Sequence, residues 1–150
     1  MGDRKAVIFT VNHTIDDNLH PGYLPGVEKA LAALSADGWL RIAIHHDPGQ
    51  ADVTLAYISK MLKRQLELSY VTVCGHKRGD RCLCGKPSPF LVQKAMAAMR
   101  VEPEDCVFVG SSYDDVSMGR AAGIARVHFV IPDTSGFKDI AEKEILKCFI

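Results

Sequence analysis

Four potential metal ligands lie close together near the middle of the chain, in the sequence Val-Cys-Gly-His-Lys-Arg-Gly-Asp-Arg-Cys-Leu-Cys-Gly-Lys-Pro. They are Cys74, His76, Cys82 and Cys84, which supply three thiols and one imidazole within eleven positions. This is a complete tetrahedral ligand set for zinc, and it indicates a structural site because a catalytic zinc keeps one position open for water. We therefore predict a structural zinc in a loop at about residues 74–86. The alternative is a solvated loop of reduced cysteines.

The residues between these ligands support the metal interpretation. Three glycines in and beside the loop provide the permissive backbone that a tight metal loop needs. Four charged residues leave the loop no apolar core, so something other than burial must hold it. The ligand set favours zinc over iron.

Composition restricts the classes of protein to which the chain can belong. Its 150 residues fit one domain with a sizeable core, and its formal net charge of zero gives no general attraction to nucleic acid or membrane. No apolar run approaches the ~20 residues of a spanning helix, and the N-terminus lacks the layout of a signal peptide. Five cysteines, an odd number with metal-like spacing, suit a reducing compartment. We expect a cytoplasmic protein with neither nucleic acid nor membrane as partner.

Apolar strand-like runs alternate with helical patterns along the whole chain. Strands are predicted at 5–9, 40–44, 70–74, 106–109 and 125–131, and helices at 26–36, 51–68, 89–99, 115–122 and 137–146. Apolar strands separated by helices predict a mostly parallel sheet covered on both faces. Ligands of such sheets bind at the carboxyl ends of the strands. The residues that follow each strand are therefore the most informative.

Two of these segments resemble the haloacid-dehalogenase-like (HAD-like) phosphatases: the zinc loop running into Lys86-Pro87, and the Val-Gly-x-Ser-x-x-Asp…Ala-Ala-Gly segment at 109–123. The chain is most similar to the branch of D,D-heptose 1,7-bisphosphate and histidinol-phosphate phosphatases, which has a C-x-H…C-x-C zinc loop and no large cap domain. The resemblance covers nearly the whole chain. It implies an α/β fold in a single domain over residues 1–150: a three-layer Rossmann-like sandwich with a mostly parallel five-stranded sheet of order 5-4-1-2-3.

The resemblance also identifies catalytic positions that this sequence has changed. The family pattern after the first strand is Asp-x-Asp-Gly-Thr, in which the first Asp attacks the phosphoryl group and the second protonates the leaving oxygen. Thr10 and Asn12 occupy the two carboxylate positions, His13 occupies the glycine position, and Thr14 matches. After the second strand, His45 replaces the phosphate-binding Ser or Thr.

The later motifs are partly retained. Lys86 matches the family lysine that steadies the phosphate, whereas Gly85 replaces an arginine common in this branch. After the fourth strand, Ser111 replaces a magnesium-binding Asp, and Asp115 matches the second acidic position, with Asp114 beside it. An aspartyl-phosphate needs a carboxylate nucleophile, and magnesium prefers anionic oxygens. The changes therefore remove most of the family chemistry.

We hypothesise a zinc-stabilised pseudo-phosphatase with no catalytic residues, which acts as a binding or regulatory protein. Its expected partner is a small phosphorylated ligand, an anion or another protein. The expected cofactor is structural zinc, and magnesium is not expected. Residues expected to hold a ligand are Thr14, His45, Lys86, Ser111 and Ser112. The alternative for the two serines is that they cap the following helix.

Three other interpretations stay open. The chain could be an active phosphoric monoester hydrolase on a small sugar or amino-alcohol phosphate, with Asp16 or Asp17 supplying a carboxylate. Histidines and acids at the strand ends could form a different catalytic or metal site: His13, His45, His46, Asp47 and Asp115. The chain could also be a dimeric scaffold that uses the zinc loop or the tail helix.

Overall fold

The structure is a computed structural model that describes residues 4–16, 23–46, 52–74 and 88–146. Five strands alternate with five helices in the order β1 (Ala6–Thr10), α1 (Val27–Ala36), β2 (Leu40–His46), α2 (Asp52–Gln65), β3 (Tyr70–Cys74), α3 (Phe90–Met99), β4 (Cys106–Gly110), α4 (Tyr113–Ala121), β5 (Arg126–Phe129) and α5 (Gly136–Ile140). A 3-10 turn at Pro103–Asp105 precedes β4, and a π-helical segment at Ala141–Ile145 follows α5. The alternation of strands and helices along the chain confirms the predicted α/β class.

The five strands form one parallel sheet in the order β3-β2-β1-β4-β5. The central strand β1 pairs with β2 from Ala6 opposite Leu40, and with β4 from Ala6 opposite Cys106. Every residue of β1 and β4 is buried, which explains their continuous apolar sequences. The strand order is the one that the family resemblance implied. Within the described residues, no further domain interrupts the sheet.

Alternate residues of β1 build two apolar layers on opposite faces of the sheet, because successive side chains of a strand point to opposite sides. Val7 and Phe9 pack in a cluster with residues of α1 and with Phe137 of α5. Ala6 and Ile8 pack in a second cluster with residues of α3 and α4. Helices therefore cover both faces, which gives the three-layer sandwich.

The C-terminal elements complete the first layer. The Phe137 ring packs edge-on against the ring of Phe9, with 5.1 Å between the ring centroids. Close packing continues at Gly26, where a Cβ atom would lie 2.3 Å from the Lys138 side chain, and Gly26 also has a φ of 81°. Glycine suits this position on both counts.

Several element boundaries differ from the predicted ones for local reasons. β2 continues to His46, two residues further than predicted, because His45 and His46 pair with Val73 and Cys74 of β3. Helix α4 begins at Tyr113, since the Ser112 side chain accepts a hydrogen bond from the Asp115 backbone N–H. The tail was predicted as one helix over 137–146, whereas α5 ends at Ile140 and continues as the π-helical segment.

Cys106 lies in the second apolar layer, at the start of β4. Burial, with a smaller contribution from the charge of Asp105, raises the pKa of its thiol to about 12. The neutral thiol is therefore the stable form at neutral pH, and Cys106 acts as a packing residue rather than as a nucleophile. None of the helices in the described residues has the length and apolar character needed to span a membrane.

Candidate functional site

Four polar side chains meet at the carboxyl ends of β1 and β4. Thr10 is the last residue of β1, Thr14 lies in the loop that follows, Ser111 follows β4, and Asp115 lies in the first turn of α4. We refer to these four residues as the Thr10–Asp115 cluster. All four are buried, and Thr10 and Asp115 are each 1% exposed. Polar groups buried this deeply need hydrogen-bond partners inside the protein.

The partners are found within the cluster itself. The Thr10 hydroxyl donates to Asp115 Oδ2 at 2.8 Å, and the backbone N–H of Ser111 donates to the same oxygen at 3.0 Å. The Thr14 hydroxyl lies 2.8 Å from the Thr10 hydroxyl and 3.0 Å from that of Ser111. The Ser111 hydroxyl donates to the Asn12 carbonyl oxygen at 3.2 Å. Because the Thr10 proton is given to Asp115, the single Thr14 proton is shared between Thr10 and Ser111.

Local backbone features place Asp115 next to Thr10. The Ser112 hydroxyl caps α4 by accepting a hydrogen bond of 3.0 Å from the Asp115 backbone N–H, which sets the direction of the first turn. Gly110 ends β4, and a Cβ atom there would lie 2.5 Å from Asp115 Cβ. The absence of a side chain at residue 110 therefore allows the carboxylate to approach the end of the sheet.

The neighbouring strand ends carry the other predicted pocket residues. His45 is buried near the end of β2, one residue beyond the Ile44 that pairs with Thr10. The side-chain amide of Asn12 donates to the His46 carbonyl oxygen at 3.4 Å. Asp114 is exposed, in contrast to Asp115. The hydrogen-bond partners of the Thr10 side chain among the described residues are Thr14 and Asp115, so these contacts include no histidine that could act as its base.

A second polar pair lies beside the cluster and was not predicted from the sequence. His13 Nδ1 lies 2.7 Å from Asp133 Oδ1, and the Asp133 backbone N–H donates to the His13 carbonyl oxygen at 3.0 Å. We refer to these residues as the His13–Asp133 pair. The pair joins the loop after β1 to the loop after β5. The sequence signal for that second loop is the Thr-Ser-Gly sequence at 134–136, which predicts a loop before the tail helix and does not include Asp133.

The predicted zinc site lies mostly outside the described residues. Cys74 ends β3 and is buried beside α3, whereas His76, Cys82 and Cys84 are outside the described residues, as are Lys86 and Asp47. Among residues 4–16, 23–46, 52–74 and 88–146, no three His, Cys, Asp or Glu side chains converge in a way that could hold a metal ion. The zinc ligands and Lys86 therefore stay predictions.

Comparison with known proteins identifies the family. The profile of the family described as haloacid dehalogenase-like hydrolase matches residues 11–123, which is most of the chain. The chain belongs to the haloacid dehalogenase-like hydrolases.

One curated relative agrees with the HAD-like assignment. "Phosphoglycolate phosphatase, plasmid" of Cupriavidus necator is 32% identical over 120 residues, which are 79% of this chain and 48% of the relative. The chain therefore spans about half the length of that curated relative.

Solved structures share the HAD-like fold at lower identity. The D,D-heptose 1,7-bisphosphate phosphatase from B. bronchiseptica, complexed with magnesium and phosphate, is 19% identical with a TM-score of 0.74, covering 96% of this chain and 99% of that one. The CbbY protein from Rhodobacter sphaeroides, in complex with phosphate, is 13% identical with a TM-score of 0.64, covering 91% and 96%. These similarities support the fold.

The Thr10–Asp115 cluster offers a single carboxylate to magnesium, the metal that the HAD-like family implies. Magnesium requires an octahedral set of hard oxygens, including one or two carboxylates. Asp115 is the one carboxylate in the cluster, and its Oδ2 already accepts hydrogen bonds from Thr10 and Ser111. The other side-chain oxygens of the cluster belong to the neutral hydroxyls of Thr10, Thr14 and Ser111. The described residues therefore supply a weak set of ligands for magnesium, and no catalytic step is assigned to that metal.

The Thr10 hydroxyl should stabilise the fold through its bond to Asp115. We expect Thr10→Val, which keeps the shape but removes the donor, to lower the free energy of unfolding by about 1–3 kcal/mol, because the buried Asp115 oxygen loses one of its two donors. The measurement is urea denaturation followed by circular dichroism.

Thr72→Val is the matched control. Thr72 is also buried, but its hydroxyl makes no hydrogen bond to the described residues. The same substitution there should leave stability unchanged or raise it, since it removes an unsatisfied polar group. Equal losses in the two variants would contradict a structural role for the bond between Thr10 and Asp115.

Proposed function

We propose that this chain is a zinc-stabilised, single-domain HAD-like protein that binds a phosphate-bearing ligand or anion without hydrolysing it, and so acts as a binding or regulatory protein. The observation that carries the proposal is the hydrogen bond from the buried Thr10 hydroxyl to Asp115. This bond supports the proposal because the family resemblance assigns the carboxylate nucleophile to position 10, where this chain has a neutral hydroxyl that donates to Asp115.

The chemistry of the cluster supports the absence of phosphoryl transfer to residue 10. A threonine hydroxyl is a weak nucleophile unless a base removes its proton. The carboxylate of Asp115 accepts that proton in a hydrogen bond, but carboxylates are weak bases. Thr10 is also only 1% exposed, so solvent has little access to its hydroxyl. Asn12 has no proton of suitable acidity for the leaving group. Loss of one key catalytic group can cost about 10⁴ to 10⁶ in rate.

Retention of phosphate binding is supported by the relatives. The heptose bisphosphate phosphatase and the CbbY protein were both solved with phosphate. In this chain, Lys86 is proposed to supply the positive charge. The hydroxyls of Thr14 and Ser111 are used within the cluster, and that of Ser112 caps α4. The cap uses the Ser112 oxygen as an acceptor, so its O–H can still donate to an anion. A ligand must therefore be held by Lys86, His45, Ser112 and backbone N–H groups, or it must displace hydrogen bonds of the cluster.

A structural zinc is proposed to hold the loop after β3. The loop leaves the sheet at Cys74, whose side chain is buried at the carboxyl edge of β3. That edge is also where the Thr10–Asp115 cluster lies, because all strands are parallel. The zinc loop would then form one wall of the ligand site and present Lys86 to it.

The alternative is an active phosphatase with an altered site. The names of the relatives favour it, since they include phosphoglycolate and heptose bisphosphate phosphatases. A carboxylate from the loop after β1 would have to replace the nucleophile. Asp16 is half-buried in that loop, and its carbonyl oxygen accepts a hydrogen bond from the His13 N–H.

We predict that the purified protein does not hydrolyse p-nitrophenyl phosphate or small sugar phosphates in the presence of magnesium faster than the same solution without protein.

Restoring two family carboxylates, with Thr10→Asp and Ser111→Asp together, should create a magnesium site. The three neighbouring carboxylates of this variant repel one another, and a bound magnesium ion would offset that repulsion. Magnesium should therefore raise the melting temperature of the variant but not that of the wild type. Differential scanning fluorimetry with and without magnesium measures the difference.

The opposite result would support the active alternative. Turnover by the wild type that requires magnesium, and that is lost in Asp115→Asn, would overturn the non-catalytic proposal. Turnover lost in Asp16→Asn would identify the replacement carboxylate.

Phosphate binding can be tested separately from hydrolysis. We expect isothermal titration calorimetry to detect binding of inorganic phosphate, and Lys86→Ala to weaken it by about tenfold or more, because a charge-assisted hydrogen bond is lost. Lys63→Ala, at an exposed residue in the last turn of α2, is the charge-matched control and should have no effect. Failure of the wild type to bind phosphate, or equal weakening in both variants, would contradict the anion-binding proposal.

The zinc site predicts a specific pattern of cysteine variants. Elemental analysis should find about one zinc per chain. Zinc should be lost in Cys82→Ser and in Cys84→Ser, but kept in Cys106→Ala, because Cys106 lies in the apolar layer at the start of β4. Chelation should expose the four Lys and Arg residues at 77–86 to trypsin. Metal-free wild-type protein, or equal loss of zinc in Cys106→Ala, would contradict the site.

A further inference from the structure

We propose that His13 is a phosphoryl-accepting site, at which Nε2 of the ring takes a phosphoryl group from a small acyl phosphate while Asp133 holds and stabilises the ring. This goes beyond phosphate binding in the Thr10–Asp115 cluster, since the accepting atom belongs to a different side chain on the outer side of the same loop. No carboxylate nucleophile is involved.

The geometry of the pair leaves the accepting nitrogen accessible. An ionised Asp133 can only accept, so Nδ1 of His13 carries the proton of the 2.7 Å hydrogen bond. Nε2 then holds the lone pair of the neutral ring and lies on the far side of the ring from the carboxylate. No other hydrogen bond of the His13 side chain is formed with the described residues, and this side chain is 47% exposed.

The backbone at both residues is held in an uncommon conformation. His13 has a φ of 65° and Asp133 a φ of 63°, in the left-handed region that non-glycine residues rarely adopt. Two backbone hydrogen bonds fix this arrangement: the His13 N–H donates to the Asp16 carbonyl oxygen, and the Asp133 N–H to the His13 carbonyl oxygen. Such conformations persist where the surroundings over-determine them, often at functional sites. Here they align an imidazole with an orienting carboxylate.

A carboxylate bonded to Nδ1 prepares a histidine for nucleophilic attack through Nε2. It fixes the tautomer, and its negative charge stabilises the positive charge that develops on the ring. Nε2 attacks phosphorus and forms the P–N bond while the P–O bond to the acyl group breaks. The acyl group leaves as a carboxylate with the electron pair, so no proton has to be supplied. The ring keeps its Nδ1 proton, in its bond to Asp133.

Two other ligands for the pair are less well supported. A metal ion would need further ligands, and no group of three His, Cys, Asp or Glu is present in the described part of the chain. A simple anion site would leave the lone pair of Nε2 without a role, since an anion accepts hydrogen bonds and does not use a lone pair on the ring. Acceptance of a phosphoryl group uses the carboxylate, which makes it the chemistry that the pair suits best.

The test is to incubate the zinc-loaded full chain with acetyl phosphate and to measure the intact mass and the ³¹P spectrum. We expect the mass increase of one phosphoryl group, labile to acid, stable to base and located on His13 by peptide mapping. His13→Asn should abolish it, and Asp133→Asn should slow it on the order of 10-fold, because the amide can still orient the ring but lacks the charge. Asparagine tolerates the left-handed backbone, so both variants should fold.

His128→Gln is the matched control, since His128 lies in β5 outside the pair, and it should be modified like the wild type. No modification of the wild type, modification that persists in His13→Asn, or equal rates in Asp133→Asn and wild type would overturn the proposal. A phosphoryl group released by base as well as by acid would be an aspartyl phosphate and would overturn both this inference and the non-catalytic function. Phosphate binding with no modified histidine would overturn this inference alone.

Discussion

The bond from Thr10 to Asp115 organises the carboxyl edge of the sheet. It connects the central strand β1 to the first turn of α4, and the remaining hydroxyls extend it to the loops after β1 and β4. A carboxylate removed from water must be satisfied by donors, and here two donors from different segments meet on one oxygen. The Asp115 carboxylate thereby connects the end of β1 to the loop after β4.

The fold was predictable from the sequence because its signals are local. Continuous apolar runs at β1 and β4, separated by amphipathic segments, specify buried parallel strands without knowledge of the pairing. Strand order came from the family resemblance, since no periodicity encodes which strand is the neighbour of which. The strand and helix ends that differ from the predicted ones depend on specific contacts, which hydrophobic periodicity does not reveal. Examples are the pairing of His46 with Cys74 and the Ser112 cap.

The candidate site was predictable only in part. Family positions identified Thr10, Thr14, Ser111 and Asp115, but not that their side chains bond to one another. The sequence allows Ser112 either to bind a ligand or to cap α4, and the hydrogen bond that its hydroxyl accepts from the Asp115 N–H supports capping. Asp133 was missed because its contact with His13 joins two loops that are 120 residues apart in the sequence. Neither loop has a pattern that points to the other.

The pairing of β1 with both β2 and β4 has a consequence for how the chain folds. Ala6 is opposite Cys106, and Phe9 meets Phe137. Bringing residues so far apart in the sequence together costs chain entropy before their apolar surface is buried. Folds with many such long-range contacts therefore form slowly compared with helical bundles. During synthesis, β1 emerges before β4 and gains its partner on that side only after the 100 residues that separate Ala6 from Cys106 have been made. Until then, one of the most apolar strands in the protein has an open edge, and this is the interval in which a chaperone would have most to protect.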